Sequence, residues 1–439
     1  MDKSNLRDLL KKCWSNSWPM ILIMFFEFLI NMADVYIAGK ISKEVQASIG
    51  LVSQIYFIFV VIANSITVGT VSVISRIFTS HKKDEVSTSV FSVISTTVVS
   101  GVILSLLGIF LSGRIINFLN VPQVVKTYSI PLVLIYSAGI VFHYLLINTN
   151  GILRATKMIK RSLSTMTLVC ILNITLNFIF VFYTSMGFRG IALSTVLSIV
   201  VGSVMNMFHV SKLIHLRRYS FQVIKRVFSI GWASGVLQVG WQLGATILFL
   251  IVGNLPEKSV EVMAAFTNGM RVEALIFLPA FAFNMANAVV VGNLLGESKK
   301  NEAFYGGLYT AVMGVGLITV LTAIVIIFAK PTALFLSKND IVIAESIRYL
   351  YISMIGEPFM AFGVILGGGL NGAGDTRSVM VRVISSLWLV RLPSAYVFGI
   401  LLGFGASGIW WSMNFSIFAQ AFLIGRYYFK REWLRSDGI

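Results

Sequence analysis

Twelve runs of roughly 20 predominantly apolar residues divide this chain, and each is long enough to cross a bilayer's hydrocarbon core as a helix. They lie near 18–38, 50–75, 88–111, 129–150, 163–183 and 190–211, and again near 229–252, 263–292, 304–329, 346–370, 379–402 and 406–428. In hydrocarbon every backbone polar group must be paired internally, which leaves only helices or a closed barrel. A barrel would show alternating segments of about ten residues. The unbroken runs predict an all-α integral membrane protein of twelve transmembrane helices. Charged residues make up only 12% of the chain, against about 25% in soluble domains.

The net charge of +17 raises nucleic-acid binding as a reading, but the basic residues are spread through short connections between spans. Their distribution gives orientation instead. About 24 of the 35 Lys and Arg lie on the side of the two termini, including Lys82, Lys83, Arg154, Lys157, Arg217, Arg218, Lys299, Lys300 and Arg435. The positive-inside rule then places both termini in the cytoplasm, in a bacterial or archaeal inner membrane. Cys13 and Cys170 are too few for a disulfide framework. No small-residue cleavage site follows the first run, so it is expected to be retained.

The halves repeat. His81-Lys82-Lys83-Asp84-Glu85 resembles Ser298-Lys299-Lys300-Asn301-Glu302, an offset of 217 (299 − 82). At the same offset Leu153-Arg154-Ala155 meets Leu370-Asn371-Gly372, and Gly190-Ile191 meets Gly408-Ile409 at 218. Six spans per half keep both halves in one orientation, as in transporters built from parallel repeats about an axis along the membrane normal. The expected organisation is an N-terminal lobe over 1–211, a cytoplasmic linker over 212–226 and a C-terminal lobe over 227–439, related by that pseudo-two-fold axis. Substrate would sit between the lobes, and one chain suffices to form the cavity.

Two acids lie inside the first run. At about 100° per residue, Asn31 falls roughly 40° from Glu27 and Asp34 roughly 20° from it on the other side. A carboxylate at bilayer depth costs a few kcal/mol, so intramembrane acids mark cation or proton sites. Asn173 and Asn177 are four apart and share a face. Their carbonyls suit a hard cation, and they suit interhelical hydrogen bonding equally. Arg271 and Glu273 flank one position and do not face each other, so each needs another partner. Together with Glu357, which precedes Pro358 in a glycine-loosened helix, they are candidates for the cavity wall. Asp375 sits in a glycine-rich turn and is expected to cap a helix or pair with an arginine. Pro19 either starts the first helix or hinges it. The 17 Met and 33 Phe are mostly packing or lipid-facing residues.

Several of these segments resemble one family. Pro19 followed by Asp34 and Gly39 looks like the first helix of the multidrug and toxic compound extrusion (MATE) transporters. Asn371-Gly372-Ala373-Gly374-Asp375-Thr376 is similar to that family's GxGDT turn, and Arg391-Leu392-Pro393 to its RLP segment. Arg271-Val272-Glu273 with Leu278-Pro279, and Val291-Gly292 with Leu295-Gly296, resemble its eighth helix and following loop. The resemblance spans nearly the whole chain and implies a cation-driven exporter of bulky, often cationic or amphipathic compounds. It also implies a site for Na⁺ or H⁺ in the N-terminal lobe at Asp34, Asn173, Asn177 and Thr195. The chain departs from the family at Asn177, where many members carry Asp, and Glu27 is placed to supply the missing charge. A threonine such as Thr195 otherwise bonds its own helix backbone. The seventh span, Leu237-Gln238-Val239-Gly240-Trp241-Gln242, lacks the acid some members carry.

The leading function is therefore a secondary antiporter acting by alternating access, with no cofactor beyond the coupling ion. A flippase for lipid-linked saccharides is the alternative. It would need several basic residues at membrane depth, where only Arg271 and Arg391 lie. A membrane enzyme would need a metal motif or a nucleophile–base pair, and His81, His143, His209 and His215 form none. No Walker-type loop is present.

Overall fold

The computed structural model describes residues 3–80 and 82–434, with side chains from residue 6 onward. His81 and Arg435 lie outside the described residues. The first half is α1 (Lys3–Ile41), α2 (Lys43–Thr79), α3 (Lys83–Phe118), α4 (Gln123–Ala155), α5 (Ile159–Phe182) and α6 (Arg189–Ser211). The second is α7 (Phe221–Gly253), α8 (Ser259–Gly296), α9 (Lys300–Ile327), the short α10 (Ala329–Leu336), α11 (Asp340–Gly372), α12 (Thr376–Ser385), α13 (Leu392–Tyr396) and α14 (Gly405–Phe429). Two π-helical turns, Ser386–Arg391 and Val397–Leu401, continue α12 and α13 into one span. All twelve expected spans are helical.

Among the described residues, eleven helices are long and apolar enough to cross a membrane by length and composition. The remaining span, α14, is less apolar because Ser412, Asn414, Ser416 and Gln420 punctuate it, and all four are buried. The protein is a multi-pass, all-α membrane protein.

The 217-residue repeat extends to helix bounds and turns. Shifting α4 (123–155) by 217 gives 340–372, the bounds of α11. Lys157 and Gly374, also 217 apart, both take a left-handed backbone just past those helices. Gly374 does so at no steric cost, unlike Lys157. Tight packing repeats as well. A Cβ on Gly151 of α4 would collide with Thr67 of α2, and one on Gly368 of α11 with the backbone of Asn284 of α8. Both pairs keep the offset (368 − 151 and 284 − 67). Small residues permit close helix approach in membranes, where dispersion and hydrogen bonds replace the hydrophobic effect.

Helix ends follow from local chemistry. Ser42 caps α2 by accepting from the Val45 N–H at 3.2 Å, and Asn339 caps α11 by accepting from Ile341 and Val342. Asp375 caps α12 by accepting from the Ser378 N–H, as the glycine-rich turn predicts. Its other oxygen accepts from Tyr427.

The chain forms two compact units. One comprises Leu22–Trp232, the other the described residues of Met1–Ile21 and Ala233–Ile439. These bounds cross the halfway point differently from 1–211, 212–226 and 227–439. The first turns of α1 pack with the second half: Cys13 donates to the Gly306 carbonyl, and Leu9 and Cys13 are buried in that half's core. The connection after α6 is tied to α3, where Ser87 Oγ accepts from the His215 and Leu216 N–H groups and Ser92 Oγ from Ser220. The start of α7 then meets α2 so closely that neither Gly69 nor Gly231 leaves room for a Cβ.

Candidate functional site: a buried carboxylate held by three helices

In the Leu22–Trp232 unit, α1 presents Asp34, which is only 7% exposed. Asn177 of α5 donates through Nδ2 to Asp34 Oδ1 at 2.7 Å. Thr195 of α6 donates through Oγ1 to Asp34 Oδ2 at 3.0 Å. Asn173, one turn before Asn177, donates to Thr195 Oγ1 at 3.0 Å. The Asn173–Asn177 spacing of four brings both amides to the same helix face. Each carboxylate oxygen thus has a donor from a different helix.

Two features bear on what this cluster can do chemically. The carboxamide oxygens of Asn173 and Asn177 are buried with no hydrogen-bond partner. Buried acceptors left unpaired cost about 1–3 kcal/mol each, so they favour an electropositive guest. Thr195 also lies 3.0 Å from the Ile191 carbonyl of its own helix. Its single hydroxyl proton has two acceptors at equal distance, Asp34 and the backbone.

The other sequence candidates fall elsewhere. Asn31 is exposed and donates to the Glu27 carbonyl, so it lies outside the cluster. Its angular offset carries it off the face that Asp34 occupies. Glu27 is half-buried, and its charged neighbour is Arg154, itself buried at the end of α4. Arg154 had counted only as a loop residue in the charge distribution. The spacing of Asn150 and Arg154, whose Nε donates to the Asn150 carbonyl, shows α4 continuing through it. Pro19 is buried within α1, two residues before the Ile21–Leu22 boundary between the units.

In the second half, Arg271 is exposed while Glu273 is buried, as their adjacency on a helix requires. Glu273 Oε1 accepts from Tyr349 of α11 at 2.7 Å. Glu357 is buried near it, and the basic neighbour of both acids is Arg391 rather than Arg271.

Sequence reasoning passed over the aromatic neighbours of Asp34. Tyr136 of α4 interacts with Thr195 and Asp34. Its ring lies 5.4 Å from that of Tyr56, whose hydroxyl meets His143 Nδ1 at 2.8 Å. His143 had no sequence neighbour to suggest this pairing; the contact spans 87 positions.

The chain matches the MatE family over residues 19–179 and 234–397. The uncharacterised transporter YisQ of Bacillus subtilis is 23% identical over 434 residues, covering 96% of this chain and 94% of that protein. The probable multidrug resistance protein NorM of Thermotoga maritima is 24% identical over 449 residues, covering 99% and 95%. A crystal structure of MATE in the straight conformation shares the fold at a TM-score of 0.91 and 21% identity, covering 98% of this chain and 97% of that one. With both halves matched, the chain belongs to the MatE family of multidrug and toxic compound extrusion transporters.

Proposed function

We propose that this protein is a secondary multidrug exporter, moving bulky organic, often cationic or amphipathic compounds outward in exchange for H⁺ or Na⁺. The observation that carries the reading is Asp34 bridging α5 and α6 beside two unpaired carboxamide oxygens. The multidrug resistance proteins named NorM among its relatives support the substrate class.

The N-terminal lobe is the coupling lobe, and Asp34 is its switch. While ionised, Asp34 holds Asn177 and Thr195 through charge-assisted bonds of about 1.5–3 kcal/mol each. A proton on Oδ2 makes that oxygen a donor. Thr195 then turns its hydroxyl proton to the Ile191 carbonyl and accepts from Asp34. The cross-helix attraction falls to about 0.5–1.5 kcal/mol per bond. Each 1.4 kcal/mol so lost shifts the balance of two lobe conformations about tenfold. Sodium would be held by Asp34, Thr195 and the two free amide oxygens, all hard donors. The single carboxylate, with Asn177 rather than a second acid beside it, favours the proton.

Loosening α1 from α5 and α6 allows it to bend at Pro19, and the lobe repacks and releases substrate outward. Coupling requires only that ion and substrate stabilise opposite states. A unit charge crossing 100 mV contributes about 2.3 kcal/mol, enough for roughly fifty-fold accumulation. Both termini face the cytoplasm on the basic side, and one chain is the working unit.

The test is efflux of a fluorescent organic cation from cells expressing the wild type or Asp34→Asn, with pH and Na⁺ gradients imposed separately. Export that follows one gradient and fails in the variant is expected, and the gradient identifies the ion. Normal export in the variant would remove Asp34 from the mechanism.

A further inference from the structure

The stretch from Val86 to Pro256 holds twelve Lys and Arg and not one Asp or Glu, so its cations have no acid of their own. They are densest in the connection between α6 and α7 and the first turns of α7. There Lys212, Arg217, Arg218, Lys225 and Arg226 fall within fifteen residues, and all five are exposed. Among the described residues none of the five forms an ion pair. Other basic segments carry their own acids: Lys82 pairs with Glu85 at 3.0 Å, Lys299 with Glu297 at 3.0 Å and Arg348 with Glu345 at 2.9 Å. Asp84, at the start of α3, does reach this connection, but it meets His215 Nε2 at 2.8 Å.

The positive-inside rule accounts for basic loops, but not for an ordered one at a set depth. The backbone on both sides of Arg217 and Arg218 is fixed to α3. Ser87 Oγ accepts from the N–H groups of His215 and Leu216 at 2.9 and 2.8 Å, and Ser92 Oγ from that of Ser220 at 2.9 Å. The Tyr219 hydroxyl meets Thr96 Oγ1 at 3.2 Å. Between Ser87 and Ser92 the connection climbs about 7.5 Å along α3, at about 1.5 Å per residue. The apolar run of α3 begins at this level, so the two arginines lie where headgroups meet acyl chains.

Aromatic side chains mark the same level. At about 100° per residue, Phe221, Lys225, Phe228 and Trp232 lie within about 60° on one face of α7. The three aromatics are 71%, 46% and 47% exposed, while Ile224, Val227 and Ile230 on the neighbouring face are buried. Exposed aromatics anchor a helix at the membrane interface, and a lysine among them extends its ammonium toward the headgroups. A guanidinium matches a phosphate with two parallel hydrogen bonds. The fixed backbone lowers what a ligand must order on binding. A zwitterionic headgroup brings its own ammonium to its phosphate. Surplus cations therefore favour a lipid with net negative charge.

We propose that the α6–α7 connection and the first turns of α7 form a binding site for an anionic phospholipid. Arg217 and Arg218 hold the headgroup phosphate, Lys225 lies beside it, and Phe221 and Phe228 pack on the acyl chains. The site does not depend on what the protein transports.

The test is native mass spectrometry of the full-length protein in detergent, offered equal amounts of dioleoylphosphatidylglycerol and dioleoylphosphatidylcholine. The wild type is expected to retain phosphatidylglycerol in preference. Each Lys or Arg near an anionic lipid surface strengthens binding about fivefold, so Arg217→Gln/Arg218→Gln should lose roughly tenfold or more of that preference. Arg217→Lys/Arg218→Lys keeps the charge and should retain part of it, which guards against loss of fold. Arg114→Gln/Arg189→Gln removes two exposed arginines at the opposite ends of α3 and α6 and should bind as wild type. An unchanged preference in Arg217→Gln/Arg218→Gln, or an equal loss in Arg114→Gln/Arg189→Gln, would overturn the proposal. So would displacement of the lipid by glycerol 1-phosphate, which would mark a site for a soluble phosphate ester.

Discussion

Asn177 donates one end of its carboxamide to Asp34 across 2.7 Å while the other end is buried without a partner. One side chain therefore both holds the carboxylate and offers an oxygen to whatever replaces that bond. Asn177→Asp should convert a one-acid site into a two-acid site. Export is then expected to depend on Na⁺, because two carboxylates with Thr195 and Asn173 suit a monovalent metal ion better than a single proton. Measuring efflux at fixed pH over a range of NaCl decides it. Identical sodium dependence in wild type and variant would show that residue 177 does not set ion choice.

Thr195 connects three groups through one hydroxyl. Thr195→Val leaves Asp34 Oδ2 without its donor and the Asn173 amide without its acceptor. Each loss is worth about 1–3 kcal/mol, so folding stability should fall measurably and export at least tenfold. Thr195→Ser keeps the hydroxyl and should restore most of both. Thermal unfolding in nanodiscs beside efflux rates separates the two effects. Wild-type export by Thr195→Val would sever the hydroxyl from coupling.

The fold was readable because membrane solvation leaves few alternatives. Span lengths, the 217-residue offset and the glycine turns all follow from local composition. Asp34 stood out for the same reason, as an acid where acids are costly. What stayed hidden depends on which helices touch. Arg154 read as a loop charge because it lies about one turn beyond the apolar run ending near 150, yet α4 carries it and it is buried near Glu27. Arg391 and Glu273 stand 118 positions apart (391 − 273), and no periodicity links them. Asn31 illustrates the opposite error: a shared face of about 60° total width still contained one residue turned outward.

Helix contact through glycine makes a stability prediction. Cβ atoms at Gly368 and Gly372 would overlap the backbone of Asn284 and Ala288, which cannot move as a side-chain tip can. Gly368→Val and Gly372→Val should cost more than the usual 1–3 kcal/mol of overpacking. Little monodisperse protein is then expected from size-exclusion chromatography. Gly316→Val, on the same half but facing open space, should behave as wild type. Equal yields for all three would mean that α8 and α11 are not this close.

Both cysteines are free and buried, Cys13 completely so and Cys170 to within 4%. Cys13 Sγ is covered by the Gly306 turn of α9, which holds the start of α1 in the second unit. In Cys170→Ala, a maleimide should label Cys13 slowly in the folded protein and fully after denaturation. Rapid labelling without denaturant would show that the first turns of α1 are not docked there.

Pro19 lies inside α1, close to where that helix passes from one compact unit to the other. Its ring withholds the N–H that would bond the Ser15 carbonyl, and an interior proline costs a helix about 3 kcal/mol. A residue that weakens a helix at that junction lowers the cost of bending there. Pro19→Ala should restore the missing bond and raise the unfolding temperature. Substrate binding should be nearly unchanged, because Asp34, Asn177 and Thr195 keep their contacts. Export should nevertheless slow by about five- to tenfold, since that bond's roughly 1–1.5 kcal/mol now opposes each bending event. Binding by tryptophan fluorescence and efflux by dye release test the two halves of this expectation separately. A stabilised variant that exports at the wild-type rate would place the moving joint elsewhere in the chain.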